Sequence, residues 1–251
     1  MAIPHRTVGT GPKTVFLLHG WFGSADGWGE FPDYLDTESF TWVFTDHRGY
    51  GARQGVEGTY SLDEVAQDVL DLADELGADT FSLVGHSMGG AGVLRILAKA
   101  PDRVEKLVGI TPVGATPTPL DNDGRELFFG AADDPGKRFG IIDFTTGNRL
   151  TPVFVQSVVE WSLEHSDRDA FAGAVEAWAN ADFLDEVKGN ETPMLVIPGQ
   201  HDPALGEATC NQTWVPNFPN CIIEVMPNAG HYPMFETPVA LATNITNFLK
   251  D

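Results

Sequence analysis

Residues 83–92 read LVGHSMGGAG, with Ser87 at the centre. GHSMG matches G-x-S-x-G, the pattern of a serine on a sharp turn between a strand and a helix. Such a turn exposes the hydroxyl, and the flanking glycines keep nearby backbone from clashing. A serine hydroxyl is a weak nucleophile near neutral pH and needs a base. The chain offers seven histidines. His5 lies in the N-terminal stretch, His165 in a polar helical stretch, and His47 beside Arg48. His86 adjoins the serine, on a turn where neighbouring side chains diverge. His19 closes a strand in an HG pair and reads as loop support, and His201 sits beside a candidate carboxylate. His231, in NAGHYPMFETP, follows the last expected strand, which places it on the same sheet edge as Ser87. A histidine base needs a carboxylate to orient it and to stabilise the imidazolium. Asp202, in PGQHDPALG, follows the penultimate strand on that edge, whereas Asp46 leads into HRGYG, which reads as a structural loop. The order Ser87, Asp202, His231 is one of those that serve nucleophilic acyl transfer. An attacked carbonyl oxygen also needs donors. The Met88 N–H, at the start of the following helix, offers one. Trp21, after the HG of HGWFGS, offers another, and its ring either walls a pocket or fills core.

These residues need a scaffold that brings strand ends together. KTVFLLHG, FTWVFTDHRGYG, DTFSLVGHS, VEKLVGITP, PMLVIPGQHD and NCIIEVMPNAGH are short apolar runs, as in strands buried on both faces. IPHRTVGTG adds a short edge strand. SLDEVAQDVLDLADELG carries Leu62, Val65, Ala66, Val69, Leu72, Ala73 and Leu76 on one helical face. Ser61 and Glu64 form a capping box at its start, and Gly77 ends it. PVALATNITNFLK is the last helix. Alternating strands and helices predict an α/β fold, a doubly wound and mostly parallel sheet covered on both faces. The alternation breaks between ITP and TPMLVIP. There, a Pro- and Gly-rich start leads into two helical blocks, GRELFFGAADDPGKRFGIIDF and TPVFVQSVVEWSLEHSDRDAFAGAVEAWANADFL. This reads as a helical insertion over 112–190, carried by a core of 1–111 and 191–251. Its aromatics pack the insertion itself, while a few, such as Phe128, Phe144, Trp161 and Trp178, are candidates to face substrate.

The balance of 36 acidic against 15 basic residues, a formal charge of −21, disfavours nucleic acid and anionic membrane surfaces as partners. The start, MAIPHRTVGTGPK, has no basic stretch followed by an apolar run, and no apolar run approaches a membrane span. A cytoplasmic location is the expectation. Cys210 and Cys221 lack metal-ligand spacing and read as two reduced thiols; a disulfide would require export and close approach.

Across nearly its whole length the chain resembles the α/β-hydrolases of the lidded, carboxylesterase-like serine type. HGWFGSADGW resembles the oxyanion loop of that family, TDHRGYGAR its D-x-R-G-x-G loop, GHSMGG its nucleophile elbow, GQHDP its acid loop and NAGHYPMFETP its histidine loop. The resemblance implies that Ser87 is the nucleophile, His231 the base and Asp202 its partner. Trp21 and Met88 would give the oxyanion N–H groups, and 112–190 would be the cap. Asp46, Arg48, Gly49 and Gly51 would be structural. The compact N-terminus departs from the family pattern by lacking a full first hairpin. Serine at the elbow argues against haloalkane dehalogenases and epoxide hydrolases, which carry aspartate there. The activity implied is hydrolysis of a small-molecule ester through an acyl-enzyme, with neither metal nor organic cofactor. Lactonases, cofactor-free haloperoxidases or perhydrolases and carbon–carbon bond hydrolases use the same trio. A small-molecule receptor with a residual hydrolase site is the alternative outside enzymology.

Overall fold

All seven stretches expected as strands pair into one sheet in the computed structural model, which describes residues 2–250. They are β1 (His5–Val8), β2 (Lys13–Leu18), β3 (Phe40–Thr45), β4 (Phe81–His86), β5 (Val104–Ile110), β6 (Met194–Ile197) and β7 (Cys221–Ile223). Their spatial order is β1-β3-β2-β4-β5-β6-β7. Only β1 runs antiparallel, with His5 opposite Thr45 on β3. The other neighbours are parallel, so the ends of β2, β4, β5, β6 and β7 lie along one edge. Every residue of β4 and β6 is buried, because helices cover both faces of the central sheet. β7 keeps only Cys221–Ile223 of the longer run expected for it. It is an outer strand with Ile222 exposed, and short edge strands limit pairing with other chains.

The helices are α1 (Leu62–Glu75), α2 (Met88–Lys99), α3 (Asn122–Phe129), α4 (Pro135–Thr145), α5 (Pro152–Glu164), α6 (Arg168–Ala179), α7 (Leu184–Val187), α8 (Glu207–Thr213), α9 (Pro233–Glu236) and α10 (Pro238–Lys250). α1 starts as its sequence predicts, with Ser61 Oγ accepting from the Glu64 N–H at 3.2 Å. The Glu64 carboxylate, however, reaches back past Ser61 to the N–H groups of Thr59 and Tyr60. The box thus satisfies donors one and two residues earlier than the simple pattern.

Between β5 and β6 the two expected blocks divide into four helices of eight residues or more, followed by the short α7. Local chemistry sets the starts of α4 and α5. Asp134 caps α4 through the Gly136 N–H, and Pro135 opens it. Thr151 caps α5, with Pro152 at its first position. Proline there lacks only a donor that would be unpaired in any case. α8 lay outside the sequence expectation, since it spans only seven residues and no side chain caps it. None of the described helices is long and apolar enough to cross a membrane. Cys210 and Cys221 are free, and burial pushes their thiols up to about 12 and about 11, so neither is a ready nucleophile.

The TDHRGYG loop is held as a structural unit. Asp46 accepts from the N–H groups of Ala25 and Ala52, joining this loop to the one after β2. Arg48 makes a two-point bond to Asp68 on α1, and Arg53 meets the same carboxylate.

Candidate active site

Ser87 occupies the turn between β4 and α2 with φ 52° and ψ −116°. Positive φ on a residue with a Cβ is strained and persists only where the surroundings impose it. Here the Ser87 N–H donates to Ile110 O at the end of β5, and Ser87 O accepts from Gly90 and Val113. The turn also needs very close backbone approach. A Cβ at Gly85 would lie 2.3 Å from Gly89 O, and one at Gly89 would lie 2.3 Å from Leu18 O. The small residues of LVGHSMGGAG are therefore steric requirements of this turn.

The sheet edge brings the three candidates together. His231 Nε2 lies 2.9 Å from Ser87 Oγ, and His231 Nδ1 lies 2.6 Å from Asp202 Oδ2. Asp202 is itself fixed, because its Oδ1 accepts from the N–H groups of Ala204 and Leu205. With Nδ1 facing a carboxylate, the ring proton sits on Nδ1 and Nε2 is left to accept from the serine. His47, His165 and His201 stand outside this arrangement, as does Asp46.

Four supports of His231 escaped the sequence reading. His86 Nε2 donates to His231 O at 2.8 Å, and Thr111 Oγ1 donates to the same carbonyl at 3.1 Å. Thr111 holds φ at +40°, a strained value for a β-branched residue, next to the end of β5. The His231 N–H donates to Thr145 O on α4. Glu236, whose side chain is only 4% exposed, accepts from the N–H groups of Gly230 and Tyr232, on either side of His231. Arg149, from the loop between α4 and α5, grips the other Glu236 oxygen at 3.0 Å and also donates to Asn228 O. The single sequence signal was the acidic residue in the histidine loop.

Glu236→Ala is accordingly expected to loosen the histidine loop. It should lower kcat by about 10- to 100-fold, the scale of a displaced reacting group, with a smaller change in KM. It should also lower the melting temperature, because two N–H groups and Arg149 lose their acceptor. Glu236→Gln keeps an acceptor oxygen and should recover much of the rate. Steady-state kinetics beside thermal melts of the three proteins check this.

No acceptor among the described residues takes the backbone N–H of Trp21 or of Met88. Both stand beside Ser87, one after β2 and one at the first turn of α2. The Trp21 ring stacks on Phe171 of α6 at 4.3 Å, and its Nε1 donates to Phe171 O at 2.8 Å. Arg138 covers the other side of Phe171, its guanidinium carbon 3.6 Å from the ring centre. Trp21 is thus both buried packing and pocket wall. A cavity of about 330 Å³ opens onto Ser87 and His231. Phe128, Phe144 and Trp178 line it, together with Trp21 and Leu205. Trp161, grouped with those aromatics on sequence, lies instead on a second cavity. Among the described residues no three His, Cys, Asp or Glu side chains gather as metal ligands.

Residues 15–244 match the Alpha/beta hydrolase family. The chain belongs to it. A non-heme haloperoxidase of Rhodococcus erythropolis is 27% identical, covering 87% of this chain and 85% of that protein. The esterase YbfF of Escherichia coli is 26% identical, covering 94% of this chain and 93% of that one. The crystal structure of a bromoperoxidase from Bacillus anthracis superposes with a TM-score of 0.88 at 22% identity, covering 98% and 95% of the two chains. That last likeness concerns the fold.

This α/β-hydrolase also buries three neutral histidines below its candidate site. His19 donates from Nδ1 to Gly20 O and accepts at Nε2 from the His47 N–H, which defines its neutral tautomer. Burial lowers the pKa of His19, His47 and His86 from the usual histidine value, against the pull of Asp46 on His19. A folded pKa below the unfolded value means that the unfolded chain takes up protons that the native state refuses. Stability should therefore be full above about pH 7 and fall as pH drops below the unfolded value of about 6.5. The slope is up to about 1.4 kcal/mol per pH unit for each group. Denaturant midpoints taken between about pH 5 and 8 check this, and His47→Gln should flatten the decline by roughly one histidine's share.

Proposed function

We propose that this α/β-hydrolase is a serine hydrolase that cleaves carboxylic esters through an acyl-enzyme. The observation that carries the reading is the pair of hydrogen bonds joining Ser87 Oγ to His231 and His231 to Asp202. In the first half-reaction Ser87 Oγ bonds to the ester carbonyl carbon while its proton passes to His231 Nε2. The carbonyl oxygen, now negative, meets the N–H groups of Trp21 and Met88, whose lack of a protein acceptor supports this role. Asp202 stabilises the imidazolium. The carbon–oxygen bond to the alcohol then breaks, and His231 returns its proton to the leaving oxygen. In the second half, His231 removes a proton from water, the hydroxide attacks the acyl carbon, and the acid leaves as Ser87 regains its proton.

Residues 112–190 serve as a cap in this reading, over a core of 1–111 and 191–251. Support comes from Phe128, Ile141, Phe144 and Trp178, which roof the cavity above Ser87. The mostly apolar lining favours apolar acyl groups. The esterase among the relatives agrees with the reaction class.

A panel of p-nitrophenyl esters of graded acyl length, run with aryl esters and lactones, tests the proposal. The expected result is turnover of esters together with labelling of Ser87 by a fluorophosphonate. A wild-type protein inert to the whole panel and unlabelled at Ser87 sinks it.

A further inference from the structure

A second cavity of about 300 Å³ adjoins the first, and Phe22 and Tyr232 line both. It lies between the loop after β2, helix α5 and the turn following His231. Neither Ser87 nor His231 lines it. Its walls are mainly Phe154, Val158, Trp161, Met234 and Phe235, with Trp28 beside them. Two features mark it as more than a packing gap. The first is size, since an apolar cavity of about 150 Å³ already admits benzene. The second is its lining. Trp28 and Trp161 carry indole N–H groups that are buried and have no acceptor among the described residues. The Trp161 Nε1 closes on the loop backbone: a Cβ at Gly27, which also lines the cavity, would lie 2.7 Å from it. Both N–H groups are sealed within the wall, so the chamber presents a mainly apolar surface and suits an apolar ligand arm.

We propose that this second chamber receives the alcohol arm of the substrate, and that the arm is an aryl-bearing or similarly bulky apolar alcohol. The proposal rests on the ester-hydrolase reading. Its logic is covalent. Once Ser87 is acylated, the acyl group is tied to Oγ and must occupy the cavity that Ser87 lines. The part of the ester that is never bonded to the enzyme is the alcohol, and the chamber that lacks Ser87 is available to it. Tyr232 follows His231 directly and walls both cavities. The boundary between the chambers therefore lies beside the group that would protonate the departing oxygen.

The test uses one substitution in each cavity at exposed positions, where new side chains are tolerated. Ser157→Trp narrows the second chamber, and Gln212→Trp narrows the first. For Ser157→Trp, the kcat/KM ratio of 2-naphthylmethyl acetate to ethyl acetate is expected to fall at least about tenfold, the scale on which pocket shape discriminates. For Gln212→Trp, the ratio of ethyl hexanoate to ethyl acetate is expected to fall instead. If the naphthylmethyl ratio follows Gln212→Trp and ignores Ser157→Trp, the alcohol lies in the first cavity and the proposal is overturned.

Direct binding separates this proposal from the reaction it rests on. Calorimetric titration of 2-naphthylmethanol should give a dissociation constant raised at least about tenfold by Ser157→Trp. Binding that is lost in this way upholds the chamber even if every ester proves inert, and only the hydrolase reading then fails. Equal binding by wild type and Ser157→Trp overturns the chamber, whatever the esters do.

Discussion

Ser87→Ala is expected to lower kcat for p-nitrophenyl esters by roughly 10⁴- to 10⁶-fold, the range seen when a triad nucleophile is removed from other serine hydrolases. The described cysteines are held as protonated thiols by burial. The loss should come without unfolding, since the Ser87 side chain caps nothing in α2 and the turn is held by backbone bonds of Ser87 itself. The backbone strain supplies an internal control. Alanine inherits φ 52°, whereas Ser87→Gly relieves it and should be more stable than Ser87→Ala by about 1 kcal/mol. An inactive alanine variant with wild-type melting, beside an inactive but more stable glycine variant, would assign Ser87 to chemistry and not to folding. A Ser87→Ala protein that retained ester turnover would remove the serine from the mechanism.

Asp202→Asn is the second large effect, and the geometry says why an almost isosteric change should be so costly. Asp202 Oδ1 accepts from the Ala204 and Leu205 N–H groups, while Oδ2 faces His231 Nδ1 at 2.6 Å. An asparagine there must keep its carbonyl oxygen toward the two N–H donors, which turns its NH₂ toward His231. The imidazole then has to accept at Nδ1 and carry its proton on Nε2, where it can no longer accept from Ser87 Oγ. A fall in kcat of about 10³- to 10⁴-fold follows, the magnitude known for the equivalent tautomer change in another serine hydrolase. Loss of the carboxylate also removes the charge that stabilises the imidazolium. Steady-state kinetics with an NMR reading of the His231 tautomer would check both halves. A variant that keeps near wild-type kcat with the Nδ1–H tautomer intact would show that Asp202 does not orient the base.

Much of the scaffold was readable because it depends on near neighbours in the chain. Apolar runs bounded by glycine and proline mark the strands, since parallel strands buried on both faces leave no room for alternation. The elbow reads from five residues because a strained turn packed against a neighbouring strand excludes side chains locally, as Gly85 and Gly89 demonstrate. The order of Ser87, Asp202 and His231 could be matched to sheet edges because each follows a strand directly. The helices of 112–190 were visible as helical but not as four separate segments. The first block hides the start of α4, where Asp134 caps inside an otherwise continuous pattern, and the second hides the start of α6 at Asp167.

The sequence by itself therefore determined the parallel sheet, the serine turn and the strand ends that carry Asp202 and His231. Tertiary structure alone decided what holds His231. The His86–His231 bond spans 145 positions, and the Arg149–Glu236 pair spans 87. It also decided that Trp161 belongs to one cavity while Phe128, Phe144 and Trp178 belong to another. The physical reason is the range of the forces involved. Turn sterics and hydrophobic periodicity act over a few residues and leave a pattern in the chain. Bonds across loops and the division of space between packed helices arise only when distant segments meet, and no local spacing records them.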